Sequence, residues 1–131
     1  MEKVLMQSRN VSNKKILVVD DEVVMLTLLE RVLEEEGYGV LLASNGEQGF
    51  KLVQEEQPAL ILLDIMMPGP DGYTTLEKIR EISTAPVIML TAVRDSESIQ
   101  RAIDSGADDF IKKPFRPAEL VARIEAKLKR A

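Results

Sequence analysis

The residues best suited to chemistry in this chain are acids, a threonine and a lysine, each placed where an apolar run stops. Asp20 and Asp21 follow the first run, and Asp64 ends the third. Thr91 ends the fourth run, and Lys113 ends the fifth. Carboxylates held close together repel, and each raises the pKa of the others unless a cation is present. If the runs end at one place, these side chains therefore indicate a site that binds a cation.

The elements that carry these residues are five short runs rich in β-branched residues and leucine. None of the runs alternates cleanly between apolar and polar residues, which is typical of strands buried on both faces, as in parallel sheets. The starts of successive runs are one strand plus one helix apart, so the pattern predicts repeated strand–helix units. The predicted strands are residues 15–20, 39–44, 59–64, 86–91 and 109–113.

The segments between the runs have apolar residues at helical spacing. Asn45 is expected to cap the second helix, and Pro117 to lie in the first turn of the fifth. Gly37 and Gly106 are expected to end the first and fourth helices. The predicted fold is therefore α/β, a (βα)5 doubly wound sheet of five parallel strands with its site at their carboxyl ends. The predicted helices lie within residues 21–37, 44–58, 72–82, 96–106 and 116–131.

Three acids at one edge of a sheet suit a hard divalent cation that prefers oxygen ligands, and Mg²⁺ is the natural choice. The residues suggest Asp21 and Asp64 as direct ligands, with Asp20 acting through a water molecule. The backbone carbonyl of Met66, just past Asp64, could complete the set.

The remaining strand-end residues suit an anion beside that cation. Lys113 supplies a positive charge, and Thr91 supplies a small hydroxyl donor. Together with Mg²⁺ they describe a site for a phosphoryl group, with Asp64 as the better candidate nucleophile. Each residue also has a plain structural interpretation, since an acidic pair after a strand can cap a helix and Lys113–Pro114 can simply turn the chain.

Composition narrows the possible functions. The chain has 131 residues, 45% of them apolar, which is enough for one packed domain. It contains no cysteine or histidine, which excludes thiolate chemistry and makes zinc binding unattractive. A net charge of −5 argues against direct binding of nucleic acid or an anionic membrane, and the apolar runs are too short to span one. We expect a cytoplasmic domain over residues 14–131, preceded by a polar tail at 1–13.

Four motifs are specific in their order and spacing: "ILVVDDE", "LILLDIMMPGPDGY", "VIMLTA" and "GADDFIKKPF". With them the chain resembles the receiver domain of two-component response regulators over residues 14–131. The resemblance implies a flavodoxin-like fold with strand order 2-1-3-4-5. It also implies that Asp64 accepts a phosphoryl group from a phosphohistidine on a sensor histidine kinase or a histidine phosphotransfer protein.

The resemblance implies roles for the other residues at the strand ends. Asp20 and Asp21 would hold Mg²⁺, together with Asp64 and the Met66 carbonyl. Lys113 would contact a phosphoryl oxygen. The family catalyses only its own phosphorylation and dephosphorylation, so no separate enzymatic turnover is expected.

Signalling in this family is a two-state change of the surface formed by the fourth helix, the fifth strand and the fifth helix. Thr91 would move toward the phosphoryl group and Phe110 would turn inward, although Phe110 taken alone is more typical of a strand aromatic in the core. The family also has a cis bond at the position before Pro114. The surface would signal to an output domain or a partner protein.

Two positions depart from the family pattern in a way that bears on the lifetime of the phosphoryl group. The side chains two residues past the phosphoacceptor and two past the threonine influence autodephosphorylation, and here they are Met66 and Val93. Neither side chain can orient a water molecule for attack. The sequence therefore predicts slow spontaneous loss of phosphate.

A third departure concerns dimers. The segment 106–123 is similar to receivers joined to winged-helix DNA-binding domains, which often dimerise through three charge pairs. Asp109 and Arg123 fit one pair, but a second would need a basic residue at Ile99 and a third would need one at Glu125. Because Glu125 is itself acidic, the third pair would bring two acids together, which disfavours association. We therefore do not expect that dimer.

Two other classes share parts of this pattern. An Mg²⁺-dependent aspartyl-phosphate phosphatase of the haloacid type also uses an aspartate at a strand end, but it needs a second one at the position of Met66. A flavodoxin-like electron carrier needs a phosphate loop rich in Ser, Thr and Gly after the first strand, where this chain has "DDEVV".

Overall fold

The computed structural model of the protein describes residues 14–67, 71–92 and 96–130. The predicted tail at 1–13 and Val93 lie outside the described residues. Strands and helices alternate along the chain, as predicted. The strands are β1 (Lys15–Val19), β2 (Gly39–Ala43), β3 (Leu60–Asp64), β4 (Val87–Thr91) and β5 (Asp109–Lys112). The helices are α1 (Val23–Glu35), α2 (Gly46–Glu56), α3 (Gly72–Ile82), α4 (Ser96–Asp104) and α5 (Pro117–Arg130).

The five strands form one parallel sheet in the order β2-β1-β3-β4-β5, which confirms the predicted fold class and strand order. Helices cover both faces of the sheet. Leu17 and Val19 pack in the core layer shared with α2, α3 and α4. Ile16 and Val18 pack in the opposite layer with α1 and α5. Successive strand residues thus enter different cores, which explains why the runs are continuously apolar.

Strand ends in the structure differ from the predicted ends by at most one residue. Asp20 and Lys113 were predicted as the last residues of β1 and β5, but both strands end one residue earlier. Their backbone N–H groups still bond across the sheet, from Asp20 to the Ala43 carbonyl at 3.0 Å and from Lys113 to the Thr91 carbonyl at 2.8 Å. Both residues therefore stay attached to the sheet while their side chains leave its regular pleat.

The helix ends agree with the predicted signals. The Asn45 side chain accepts a hydrogen bond of 2.9 Å from the Gln48 N–H and caps α2. Gly37 and Gly106 have φ values of 93° and 114°, the left-handed conformation that ends α1 and α4. The N-cap of α1 is Glu22, whose side chain makes no capping bond. The interpretation of Asp20 and Asp21 as a helix cap is therefore not what the structure has.

None of the helices among the described residues combines the length and the apolar character needed to cross a membrane.

Candidate functional site at the carboxyl edge of the sheet

Three acids from the ends of β1 and β3 meet at the carboxyl edge. Asp20, Asp21 and Asp64 each offer a carboxylate oxygen, and these oxygens all lie within 4.8 Å of one another. Asp20 and Asp64 are buried, with 1% and 5% of their surface exposed, whereas Asp21 is exposed. The neighbouring strands β1 and β3 pair in register, so their ends bring the acids together.

Each buried acid accepts a hydrogen bond through one oxygen from the backbone N–H two residues further along the chain. Oδ1 of Asp20 accepts a hydrogen bond of 2.9 Å from the Glu22 N–H. Oδ1 of Asp64 accepts one of 3.1 Å from the Met66 N–H. The second oxygen of each carboxylate is thereby turned toward the same lysine.

Lys113 is the cation of the cluster. Its Nζ lies 2.9 Å from Oδ2 of Asp20, 3.3 Å from Oδ2 of Asp64 and 3.8 Å from Oε1 of Glu22. The Lys113 side chain is only 14% exposed. The Lys113–Pro114 peptide bond is cis, as predicted.

Burial sets the protonation behaviour of this cluster. Desolvation raises the pKa of Asp64 above its ordinary value, although the Lys113 charge and the Met66 N–H oppose it. Burial alone would lower the pKa of Lys113, but the hydrogen bond to Asp20 and the charges of Asp64 and Asp20 outweigh it and raise the pKa. Lys113 is thus held charged, while the charge on Asp64 is costly.

The donor set fits a hard divalent cation. The three clustered acids outnumber the one lysine that pairs with Asp20 and Asp64, so the cluster keeps an excess of negative charge. Every side-chain ligand atom offered is a carboxylate oxygen, the type that Mg²⁺ prefers. Met66 lies two residues after Asp64 and is 62% exposed.

Thr91 and Phe110 lie on the neighbouring strands β4 and β5. Thr91 is fully buried at the end of β4, one residue past Leu90, which pairs with Asp64. Phe110 is half-buried on β5 and packs against the core layer of α2, α3 and α4, opposite Met89. Thr91 thus lies beside the site, whereas Phe110 lies further along the sheet.

Gly72 is a site residue that sequence reasoning missed. A Cβ atom there would lie 2.5 Å from the Asp64 carbonyl oxygen and 2.6 Å from the Ile65 Cα. The Gly72 N–H also bonds to the Ile65 carbonyl at 3.0 Å. Because only glycine permits this approach, the loop after Asp64 returns tightly to the strand. The Asp-Gly pair at 71–72 was a readable signal, but it was interpreted only as a turn.

The arrangement has counterparts in known proteins. The family profile described as the response regulator receiver domain matches residues 16–125. The chain belongs to the response regulator receiver domain family. Receiver domains are the signalling modules of two-component systems.

Curated relatives of this receiver domain are longer proteins. It is 45% identical over 120 residues to a protein named probable transcriptional regulator ycf27 from Cyanophora paradoxa, covering 92% of this chain and 50% of that one. It is 43% identical over 117 residues to the DNA-binding response regulator MtrA of Mycobacterium tuberculosis, covering 89% of this chain and 51% of that one. The chain thus spans about half the length of these relatives.

Solved receiver domains have the same fold. A CheY-like receiver domain from Methanospirillum hungatei is 34% identical, with a TM-score of 0.87, and the match covers 91% of this chain and 96% of that one. The BeF3-activated N-terminal receiver domain of RstA from Klebsiella pneumoniae is 32% identical, with a TM-score of 0.84, covering 88% and 98%. These likenesses agree with the flavodoxin-like fold class.

One charge pair that the sequence assigned to a dimer forms within this receiver domain. Arg123 Nη1 on α5 donates to both carboxylate oxygens of Asp109 on β5, at 2.9 and 3.0 Å. Arg123 Nη2 lies 3.4 Å from Glu119 on the same helix. A dimer that used Arg123 would have to replace these intramolecular pairs.

Proposed function

We propose that Asp64 accepts a phosphoryl group from the phosphohistidine of a sensor histidine kinase or a histidine phosphotransfer protein. The observation that carries this proposal is the Asp64 carboxylate itself, buried at a strand end within 3.3 Å of Lys113 and beside two further acids. A carboxylate that is buried beside other acids destabilises the folded domain, and groups perturbed in this way are concentrated at functional sites.

In the transfer step the Asp64 carboxylate attacks phosphorus, and the bond from phosphorus to the donor imidazole nitrogen breaks. The bonding electrons leave with the imidazole, which takes up a proton. The product is an acyl phosphate on Asp64. Lys113 stabilises the negative charge of the phosphoryl oxygens, since its burial strengthens each electrostatic contact. The Thr91 hydroxyl would donate to a phosphoryl oxygen.

The reaction depends on Mg²⁺, which would be held by Asp20, Asp21 and Asp64 together with the Met66 carbonyl. When bound, the ion neutralises charge on the transferring group. The burial of Asp20 and the exposure of Asp21 leave two ways of binding, with Asp20 as a direct ligand or acting through a water molecule.

Output follows from a change in the surface formed by α4, β5 and α5, with Thr91 and Phe110 as the switch residues. The signal passes to an output domain or a partner protein. Relatives of about twice this length are named as DNA-binding regulators. We propose that residues 14–131, the receiver domain, do not contact DNA, and that DNA contact in such a protein lies outside them. We place the domain in the cytoplasm and assign it no separate enzymatic turnover.

The test is phosphorylation of the full chain by acetyl phosphate, followed by intact-mass measurement. We expect one phosphoryl group per chain in Mg²⁺ and none in EDTA. Asp64→Asn should gain no phosphoryl group. Asp71→Asn is the matched control, because Asp71 lies in the same loop but caps α3 through the Thr74 N–H at 3.0 Å.

Equal phosphorylation of wild type and Asp64→Asn would contradict the proposal. Continuous hydrolysis of a generic phosphomonoester would instead favour a haloacid-type phosphatase.

A further inference from the structure

Helix α4 is held in place by few apolar contacts. Of its nine residues only Ala102 is buried, and Ile103 is 46% exposed. A helix with so little buried apolar surface takes its position from a small number of specific contacts. Two side chains of α3, Tyr73 and Arg80, supply contacts of this kind. They are seven residues apart and therefore lie on the same face of that helix.

The carboxyl end of α4 is held firmly by Arg80. Its Nε donates to the Gly106 carbonyl at 2.9 Å, and its Nη2 donates to Oδ2 of Asp108 at 2.7 Å. Nη1 also reaches the carbonyls of Ser83 and Ala85, at 3.3 and 2.7 Å. Four hydrogen bonds, two of them to the segment after α4, fix this end.

Tyr73 contacts the amino-terminal half of α4. The Tyr73 hydroxyl donates to the Ser98 carbonyl at 3.0 Å, and the Arg101 guanidinium lies 4.0 Å from the centroid of the Tyr73 ring. The ring itself is buried, with 6% exposed. The neutral hydrogen bond from Tyr73 and the partly solvated cation–π contact are weaker than the charged Arg80 contacts.

Tyr73 is also connected to Asp64 through the backbone. It directly follows Gly72, which packs so closely on the Asp64 carbonyl that no Cβ would fit. Any shift of the backbone at Asp64 must therefore move Gly72 and, with it, the start of α3. Tyr73 is thus connected at one side to Asp64 and at the other to α4.

We propose that Tyr73 is the positioning residue that couples Asp64 to α4. In the resting domain its hydroxyl keeps the amino end of α4 on α3. On phosphorylation that bond is released, and α4 turns about its Arg80 end. This inference rests on the proposed function for the phosphorylated state, whereas the resting-state anchor stands without it.

The first experiment tests the anchor by hydrogen exchange of the full chain without metal or phosphoryl mimic. Tyr73→Phe removes only the hydroxyl, so the ring and its contact with Arg101 remain. We expect exchange of the α4 amides to rise about fivefold, the effect of one net hydrogen bond, while β4 is unchanged. Tyr38→Phe, at the other tyrosine of the chain, is the matched control and should leave α4 unchanged. Unchanged exchange of α4 in Tyr73→Phe would overturn the anchor.

The second experiment tests the coupling with beryllofluoride, a phosphoryl mimic, in the presence of Mg²⁺. Because the variant destabilises only the resting arrangement, its half-saturating concentration of beryllofluoride should fall about fivefold below that of wild type. A half-saturating concentration equal to that of wild type, with faster α4 exchange, would overturn the coupling and leave Tyr73 a structural residue. A wild-type domain that gives no response to beryllofluoride would overturn the proposed function, while the metal-free exchange still decides the anchor.

Discussion

The two edges of the sheet each carry a lysine paired with an acid, and the pairs differ sharply in their surroundings. At the amino edge Lys15 lies 2.7 Å from Glu56, with side chains 47% and 36% exposed. At the carboxyl edge Lys113 lies 2.9 Å from Asp20, with side chains 14% and 1% exposed. The first pair is solvated and the second is desolvated, although their distances are almost the same.

The two pairs differ in how much they affect the stability of the fold. A solvated pair contributes little to stability and can be lost without much effect. A buried cluster with more acids than bases destabilises the domain unless a cation joins it. The carboxyl edge is therefore the part of the molecule whose stability depends on what is bound there.

The two edges should differ most in the free energy of unfolding that is lost when the lysine of each pair is replaced. Lys113→Met leaves Asp20 and Asp64 buried without their partner, so the free energy of unfolding in EDTA should fall by about 3 kcal/mol. Lys15→Met should change it by less than about 0.5 kcal/mol. Urea unfolding of both variants measures the contrast. Equal losses at the two edges would show that burial does not distinguish them.

Magnesium should stabilise the carboxyl edge alone. At ten times its dissociation constant, Mg²⁺ should raise the free energy of unfolding of the wild type by about 1.4 kcal/mol. Asp21→Asn should lose most of this gain at the same concentration, since Asp21 is one of the three clustered acids. Glu56→Gln, at the amino edge, should respond as the wild type does. A gain of the same size in Asp21→Asn would place the ion elsewhere.

The next expected effect concerns the lifetime of the phosphoryl group. The Met66 side chain is apolar and cannot orient a water molecule, and the residue is exposed two positions after Asp64. Met66→Asn should therefore lose phosphate faster than wild type in Mg²⁺, by roughly tenfold, which is less than a full general acid or base supplies because an amide would only orient the water. Decay of the purified phosphoprotein gives the rates. Faster decay in the wild type than in the variant would refute the prediction.

The smallest expected effect is a pH-dependent gain from neutralising Asp64. Burial raises the pKa of Asp64 above its ordinary 3.8, against the opposing effects of Lys113 and the Met66 N–H. Between 3.8 and the raised pKa the native state binds more protons than the unfolded state, so this carboxyl lowers stability as pH rises through that window. Its cost is therefore larger at neutral pH than near pH 4.

Asp64→Asn should therefore stabilise the metal-free domain at pH 7, by about 1 kcal/mol, the common size of a stabilising substitution. The gain should shrink as the pH is lowered toward 4. Glu56→Gln should show no such gain. Urea unfolding across this pH range measures the difference, and a loss of stability at pH 7 would contradict the assigned cost.

The fold and most of the carboxyl edge could be predicted from the sequence because their signals are local. An apolar run that stops at a charged residue marks a strand end, and parallel strands bring their ends to one edge. Asp20, Asp64 and Lys113 were found in this way. The last residue of a strand was harder to predict, because Asp20 and Lys113 keep ladder hydrogen bonds after the regular pleat has ended.

The contacts around α4 could not be predicted in the same way. Arg80 bonds to Asp108, a residue 28 positions away, and nothing near either residue in the chain signals that pair. Tyr73 was interpreted only as part of an amphipathic helix, since its bond to Ser98 depends on how α3 and α4 pack. Such contacts follow from tertiary arrangement rather than from local pattern.

Reduction with borohydride, which converts an aspartyl phosphate to homoserine, would locate the phosphoryl group directly. After phosphorylation in Mg²⁺, peptide mapping should find homoserine at position 64 and aspartate at positions 20 and 21. The same treatment in EDTA should leave aspartate at all three positions. Homoserine at position 20 or 21, or phosphorylated protein with aspartate retained at 64 after reduction, would contradict the assignment of Asp64 as the phosphoacceptor.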